Sequence, residues 1–220
     1  MSAKTVCIDP GHGGGDPGAV GPGGTKESAI VLDVGLLVEY ELKRLGIGTV
    51  MTRRSDQFLS LAKRVEIANE AKADAFVSIH CNSAARPARG VETFVARRTK
   101  VSFPLAEAVQ DWMTDEVRDI PDRGIKRANF YVLRHTKMAA CLAELDFIHT
   151  PAGEADLNDA DRRLRYGVAI ARGVAEFLGV QAPTTKKDPD EPKACGAMAL
   201  ADYAIESAKE ILDMATLLKR

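Results

Sequence analysis

Residues 6–52 open with Val6-Cys7-Ile8, pass through a glycine-rich loop over 11–24, and carry Ile30, Val34, Leu37, Val38 and Leu45 up to Gly46. They close on Gly48-Thr49-Val50-Met51-Thr52. The middle run has the three-to-four-residue spacing of a helix buried on one face. Gly46 marks its end, and the pattern predicts a helix over 27–45. The short apolar runs on either side predict strands. Short strands alternating with longer amphipathic helices describe a sheet flanked by helices rather than separate all-α and all-β units.

The same alternation continues outward. Ser60 reads as the cap of a helix with Leu61, Val65 and Ala68 on one face, and 75–79 as a buried strand with His80 at its C-terminal end. A strand is expected over 90–96, a helix over 104–118 packed through Leu105, Val109, Trp112 and Met113, and further strands over 130–133 and 142–148. Leu164, Val168, Ala171, Ala175 and Leu178 predict a last helix closed by Gly179, which ends a main domain at 1–180.

A chain of 220 residues buries one substantial core. Apolar content of 45%, charged content of 28% and a net charge of −1 lack the basic excess that marks a nucleic-acid binder. The four cysteines Cys7, Cys81, Cys141 and Cys195 form no C-x-x-C pair, and are expected as buried free thiols. The start, Met1 to Thr5, has no charged n-region and apolar h-region, and no apolar run reaches the roughly 18–20 residues of a membrane span. The expectation is synthesis in the cytoplasm without a signal peptide, and action elsewhere only after release.

Chemistry first shows in Asp9-Pro10-Gly11-His12-Gly13-Gly14-Gly15-Asp16, a histidine just past a strand in a loop too rich in glycine to be chosen for stability. A phosphate-binding reading fails, because neither G-x-x-x-x-G-K-[ST] nor an intact G-x-G-x-x-G occurs there. Catalytic zinc takes imidazole and carboxylate ligands, commonly three of them. His12, Glu27 and His80 are of that type, at strand ends and a helix start. Spacing alone leaves them open between ligands and ordinary surface or core residues.

Several strings resemble one family, the zinc-dependent N-acetylmuramoyl-L-alanine amidases of bacterial autolysins and phage endolysins. They are Ile8-Asp9-Pro10-Gly11-His12-Gly13-Gly14, Glu27 after Gly23-Gly24-Thr25-Lys26, Thr52-Arg53-Arg54-Ser55-Asp56, and Leu61, Arg64, Ala68 and Asn69. The series continues through 74–82, Gly90-Val91-Glu92, 130–134 and Ala143-Glu144-Leu145-Asp146-Phe147-Ile148, covering roughly 5–179 in order. The resemblance implies an α/β fold with a single twisted, mostly parallel sheet and helices on both faces. It implies one Zn²⁺ per chain on His12, Glu27 and His80, with Glu144 as the catalytic carboxylate. The implied reaction is hydrolysis of the amide between the lactyl group of N-acetylmuramic acid and L-alanine, with peptidoglycan as partner. A zinc peptidase cutting within the stem peptide and a catalytically inactive wall-binding module are the competing readings.

Other residues carry narrower expectations. Asn82 and Arg64 are candidates for contacting substrate or supporting the site, and His135 for contacting substrate from a loop between strands, though a solvated histidine is its plainer reading. Asp146 replaces the family's usual glycine, and alternation puts it on the face of Glu144, where it intrudes on the site or meets solvent. Cys81 should point away from His80 into packed surroundings, and His149 carries no role. Three prolines over 181–193 mark a linker. Beyond it, within 194–220, Ala201, Ile205, Ala208, Ile211, Leu212, Ala215 and Leu218 draw one amphipathic helix. One helix has no core of its own, so it must pair with a second copy as a homodimer, dock on the main domain, or belong to a partial wall-binding module.

Overall fold

A computed structural model describes residues 4–97 and 99–180. The predicted linker and tail, and with them the tail-mediated homodimer and Cys195, lie outside the described residues. Six strands form one sheet, β1 (Thr5–Pro10), β2 (Gly48–Met51), β3 (Ala75–Asn82), β4 (Val91–Ala96), β5 (Asp122–Ala128) and β6 (Ala139–Phe147), in the order β2-β1-β3-β6-β4-β5. Every pairing is parallel except β4 with β6. The sheet is therefore mixed, and mostly parallel as expected.

Alternation along the strands assigns the helices to faces. Val6, Ile8, Val77, Ile79, Cys141 and Ala143 pack with α1 (Glu27–Arg44), α3 (Phe103–Glu116) and α6 (Ala160–Phe177) in the larger apolar cluster. Cys7, Phe76, Ala140 and Leu142 point the other way, against Val65 and Ala68 of α2 (Leu61–Glu70) and Val132 and Leu133 of α4 (Tyr131–His135). Both faces are covered, which a parallel sheet requires. A short helix, α5 (Pro151–Asn158), follows β6, capped by the Thr150 hydroxyl. Ser60 caps α2 by accepting from the Lys63 amide, as its position predicts.

Two expectations fail. Residues 130–133 do not form a strand, because Tyr131 begins α4, which buries Val132 and Leu133 while Phe130 and Tyr131 stay partly exposed. The missing strand is β5, whose Asp-Arg-Gly-Ile-Lys-Arg-Ala carries four charges and shows neither an apolar run nor clean alternation. It lies at the sheet edge, where charge is tolerated and discourages pairing with another chain.

Parallel strands bring their C-terminal ends to one edge of the sheet. His12 follows β1, His80 and Asn82 close β3, and Glu144 sits late in β6 in register with His80. Ligand sites of open α/β sheets lie at this edge. Because β4 runs antiparallel to β6, its early residue Glu92 lies beside Glu144.

Candidate metal centre

His12 is placed by backbone that few side chains accept, with φ of 58°, and two buried arginines hold it there. Arg53, 1% exposed, donates to the carbonyls of Pro10 (2.9 Å), Gly11 (2.7 Å) and Ser28 (2.8 Å). Arg64 of α2, 3% exposed, donates to the carbonyls of Pro10 (2.7 Å) and His12 (2.6 Å) and to Asp9 Oδ1 (2.8 Å). Asp9 is also bonded by the hydroxyls of Thr52 and Ser78. The turn after β1 thus has its outward-facing carbonyls collected by two fixed guanidinium forks.

Glu27 opens α1, and the loop before it turns back so that Ala19 and Pro17 carbonyls accept the free N–H groups of Glu27 and Ser28. Its side chain is buried. Oε2 accepts from the Ala19 amide at 2.8 Å, and Oε1 from the Cys81 amide at 2.9 Å. The same Oε1 lies 3.2 Å from His12 Nε2 and 3.0 Å from His80 Nδ1. These spacings are near the roughly 3.3 Å edge of a tetrahedron built on 2.0–2.1 Å zinc bonds. Ligand atoms of His12, Glu27 and His80 all lie within 4.8 Å of one another, and they form the one such group found among the described residues.

Glycine makes this convergence fit. A Cβ on Gly11 would stand 2.2–2.7 Å from three atoms of the His80 ring, and one on Gly18 would meet Glu27 Oε2 at 2.6 Å and His12 Cδ2 at 2.7 Å. The loop's glycines leave room for imidazole and carboxylate to meet. Two imidazoles, one carboxylate and this cradle fit a zinc-type cation. His12 Nδ1 lies 2.9 Å from Asp16 Oδ2, so Asp16 orients the ring and leaves Nε2 for the centre.

Electrostatics agree with that donor set. Burial alone would push the Glu27 carboxyl up, but hydrogen bonds and charge from His12 and His80 hold it far below the usual carboxylate range. Burial lowers His12, yet Glu27 and then Asp16 outweigh it and keep that imidazole above its ordinary value. Excess negative charge thus gathers where a cation would be held.

Glu144 behaves differently. No ion partner meets it among the described residues, and its Oε2 is buried without a hydrogen bond. Burial, reinforced by Glu27 and Glu92, pushes its carboxyl well above the usual range. A polar atom left without a partner in a packed protein calls for an explanation other than stability.

The remaining expectations divide. Arg64 is buried beneath the loop, its guanidinium donating to Asp9 and to the carbonyls of Leu59, Pro10 and His12. Asn82 faces the site edge and donates to Glu92 Oε1 at 2.7 Å. His135 lies at the end of α4 rather than in a loop, exposed, stacked on Tyr131 at 3.9 Å with Nδ1 against the Tyr131 carbonyl. Asp146 neither intrudes nor meets solvent. The register shifts between His80 and Asn82, and Asp146 is fully buried, bound by Arg89 Nε and the Gly90 amide, each at 2.7 Å. Cys81 packs in the larger cluster, away from His80, and Cys7, Cys81 and Cys141 are free thiols. His149 holds the 84–86 loop through Ala84 and Arg86. Arg53, Asp16 and Glu92 carry more of the site than the sequence suggests, although Arg53 and Glu92 stand inside strings already matched.

A family model described as N-acetylmuramoyl-L-alanine amidase matches residues 6–176. The chain is 35% identical over 178 residues to the N-acetylmuramoyl-L-alanine amidase LytC of Bacillus subtilis, covering 79% of this chain and 35% of LytC. It is 36% identical over 202 residues to the endolysin of Bacillus phage SPP1, covering 87% of this chain and 73% of the endolysin. The catalytic domain of CwlV, an N-acetylmuramoyl-L-alanine amidase from Bacillus (Paenibacillus) polymyxa var. colistinus, superposes with a TM-score of 0.77 at 38% identity, covering 81% of this chain and 99% of that domain. The chain therefore spans about a third of LytC but nearly all of an isolated catalytic domain. No helix among the described residues is long and apolar enough to cross a membrane.

Proposed function

The chain belongs to the N-acetylmuramoyl-L-alanine amidase family, and on that footing we propose that it hydrolyses the amide between the lactyl group of N-acetylmuramic acid and L-alanine of peptidoglycan, as a zinc enzyme with Glu144 moving the proton. The observation that carries this reading is the pairing of His80 with Glu144 on adjacent strands, which sets a carboxyl whose buried Oε2 has no hydrogen-bond partner beside a His-Glu-His donor set.

His12, Glu27 and His80 would hold the zinc, which when bound supplies Lewis acidity to oxygens in the site. Glu144 takes the proton released as water attacks the scissile carbonyl. It then delivers that proton to the alanine nitrogen, since an amide nitrogen leaves poorly unless protonated. Burial of its oxygen, which raises the carboxyl above the usual range, favours handing the proton on, and the positive charge of the metal, when bound, would favour the ionised form that accepts it. Asp16 keeps the His12 ring turned, and Arg53 and Arg64 keep the loop from drifting.

Digestion of purified peptidoglycan, with and without a chelator, tests the reading. Mass analysis should find free lactyl carboxylates and new N-terminal alanines, both lost on chelation. Cuts between later stem residues would favour a zinc peptidase, and no cleavage an inactive wall-binding module. A complete ligand set beside a retained acid argues against the latter.

A further inference from the structure

The polar side chains of the site continue past Glu144 in one row across the sheet. Register pairs His80 of β3 with Glu144 of β6, and Glu144 with Glu92 of β4. Glu92 is only 3% exposed, and besides Asn82 it meets two cations of β5, Arg123 Nε at 2.6 Å and Lys126 Nζ. A single cation would balance a single buried carboxylate. Here there are two, and among the described residues neither forms a second ion pair. Each keeps about a third of its side chain in solvent, at 34% and 38%. Arg123 is further fixed over the Phe147 ring, 4.8 Å from its centroid. The row therefore ends in one positive charge that Glu92 does not cancel, on side chains that are anchored yet accessible.

Its position relative to the cleaved bond follows from sheet geometry. The cation heads lie against Glu92 of β4, and from β6 to β4 is one inter-strand spacing, about 5 Å. That is the length of roughly one to two extended residues. With the scissile amide at Glu144, a substituent one or two residues along the stem peptide reaches the cations. We infer that Arg123 and Lys126 form an anion subsite for a stem-peptide carboxylate just beyond the alanine, and that the enzyme favours stems whose second residue bears a free carboxyl over stems in which that group is amidated. This inference rests on the amidase reading above.

Two soluble muramoyl-L-alanyl substrates, differing only in a carboxylate or a carboxamide on the second residue, test it with the full chain. The wild type should favour the carboxylate by about tenfold in kcat/KM, mainly through KM, the scale of one charged hydrogen bond. The ratio should shrink as salt rises. Arg123→Gln and Lys126→Gln, each leaving Glu92 one cation, should bring the ratio toward one, with melting curves checking that both variants fold. A wild-type ratio near one, or a ratio kept by both variants, overturns the subsite while leaving the amidase reading standing. Cleavage of neither substrate overturns the amidase reading, and the subsite with it.

Discussion

Replacing Glu144 by glutamine should stabilise the metal-free protein and at the same time cripple the zinc-loaded enzyme. The carboxyl is pushed above its ordinary value by burial first and by Glu27 and Glu92 second. The folded state therefore keeps its proton at pH values where the unfolded chain, with a carboxyl near about 4.3, has released it. Below that pH both states are protonated and wild type and variant should match. As pH rises, the unfolded wild type loses a proton that the folded one retains, so its stability falls relative to glutamine, which cannot ionise. The linkage slope is about 1.4 kcal/mol per pH unit until the folded value is passed. Between the unfolded and the folded values each pH unit should thus widen the gap by about 1 kcal/mol, or roughly 2–4 °C in a domain of this size. Thermal melts of both proteins in chelator across pH 4–8 measure it. Added zinc should narrow the gap, since a nearby cation favours the ionised form. Turnover of the zinc-loaded variant should drop by roughly 10²–10⁴-fold, the scale of a positioned acid/base. A variant that melts lower than wild type at every pH, or a gap that does not widen with pH, would refute the claim that burial holds this proton.

Three further outcomes follow from the loop. Gly11→Ala places a methyl 2.2–2.7 Å from the His80 ring, so zinc content after gel filtration should fall well below one per chain while circular dichroism stays native; full occupancy would mean the ring has slack. Arg64→Met leaves Asp9 buried without its ion partner and should cost about 3–5 kcal/mol in urea unfolding, whereas a loss under about 1 kcal/mol would show that Thr52 and Ser78 suffice. Glu154 of α5 accepts the amides of Gly23 (2.6 Å) and Thr25 (2.9 Å), anchoring the segment that leads to Glu27, so Glu154→Gln should weaken zinc affinity by up to about tenfold in chelator competition. Those amides hold its carboxyl below the ordinary value, so the anchor is in place above the unfolded pKa and is lost as pH falls through the folded one.

Most of the fold could be read from the chain because most elements obey one period. The spacing through Ile30, Val34, Leu37 and Val38 gives α1, and the apolar run of β3 gives a doubly covered strand, since burial on both faces removes alternation. β5 could not be read, because an edge strand with one partner and half-buried residues has no reason to be apolar. The segment 130–133 was misread for the converse reason. Phe, Tyr, Val and Leu fit a strand by composition, but a single helical turn can bury two of them against α2 and leave the others out.

The site divides along the same physical line. His12, Glu27 and His80 stand out by type and place, an imidazole in a glycine loop, a carboxylate at a helix start and a histidine ending an apolar strand, but spacing left them open, and it was the family resemblance that singled them out together with Glu144. Their partners were not legible, because a buried arginine that collects carbonyls looks in sequence like any surface arginine. Arg64 lies on an amphipathic helix, and nothing in its neighbours says that it points inward to Asp9 and the His12 carbonyl. Asp146 shows the limit of alternation itself. Counting by two puts it beside Glu144, but the register shift after His80 adds a residue to β6 and turns Asp146 to Arg89 and the Gly90 amide, where it fixes the start of β4. That start is where Glu92 enters the row beside Glu144. The irregularity that defeats the sequence reading therefore helps bring the buried Glu92 carboxylate, and the two cations it holds, to the edge that carries the His-Glu-His group.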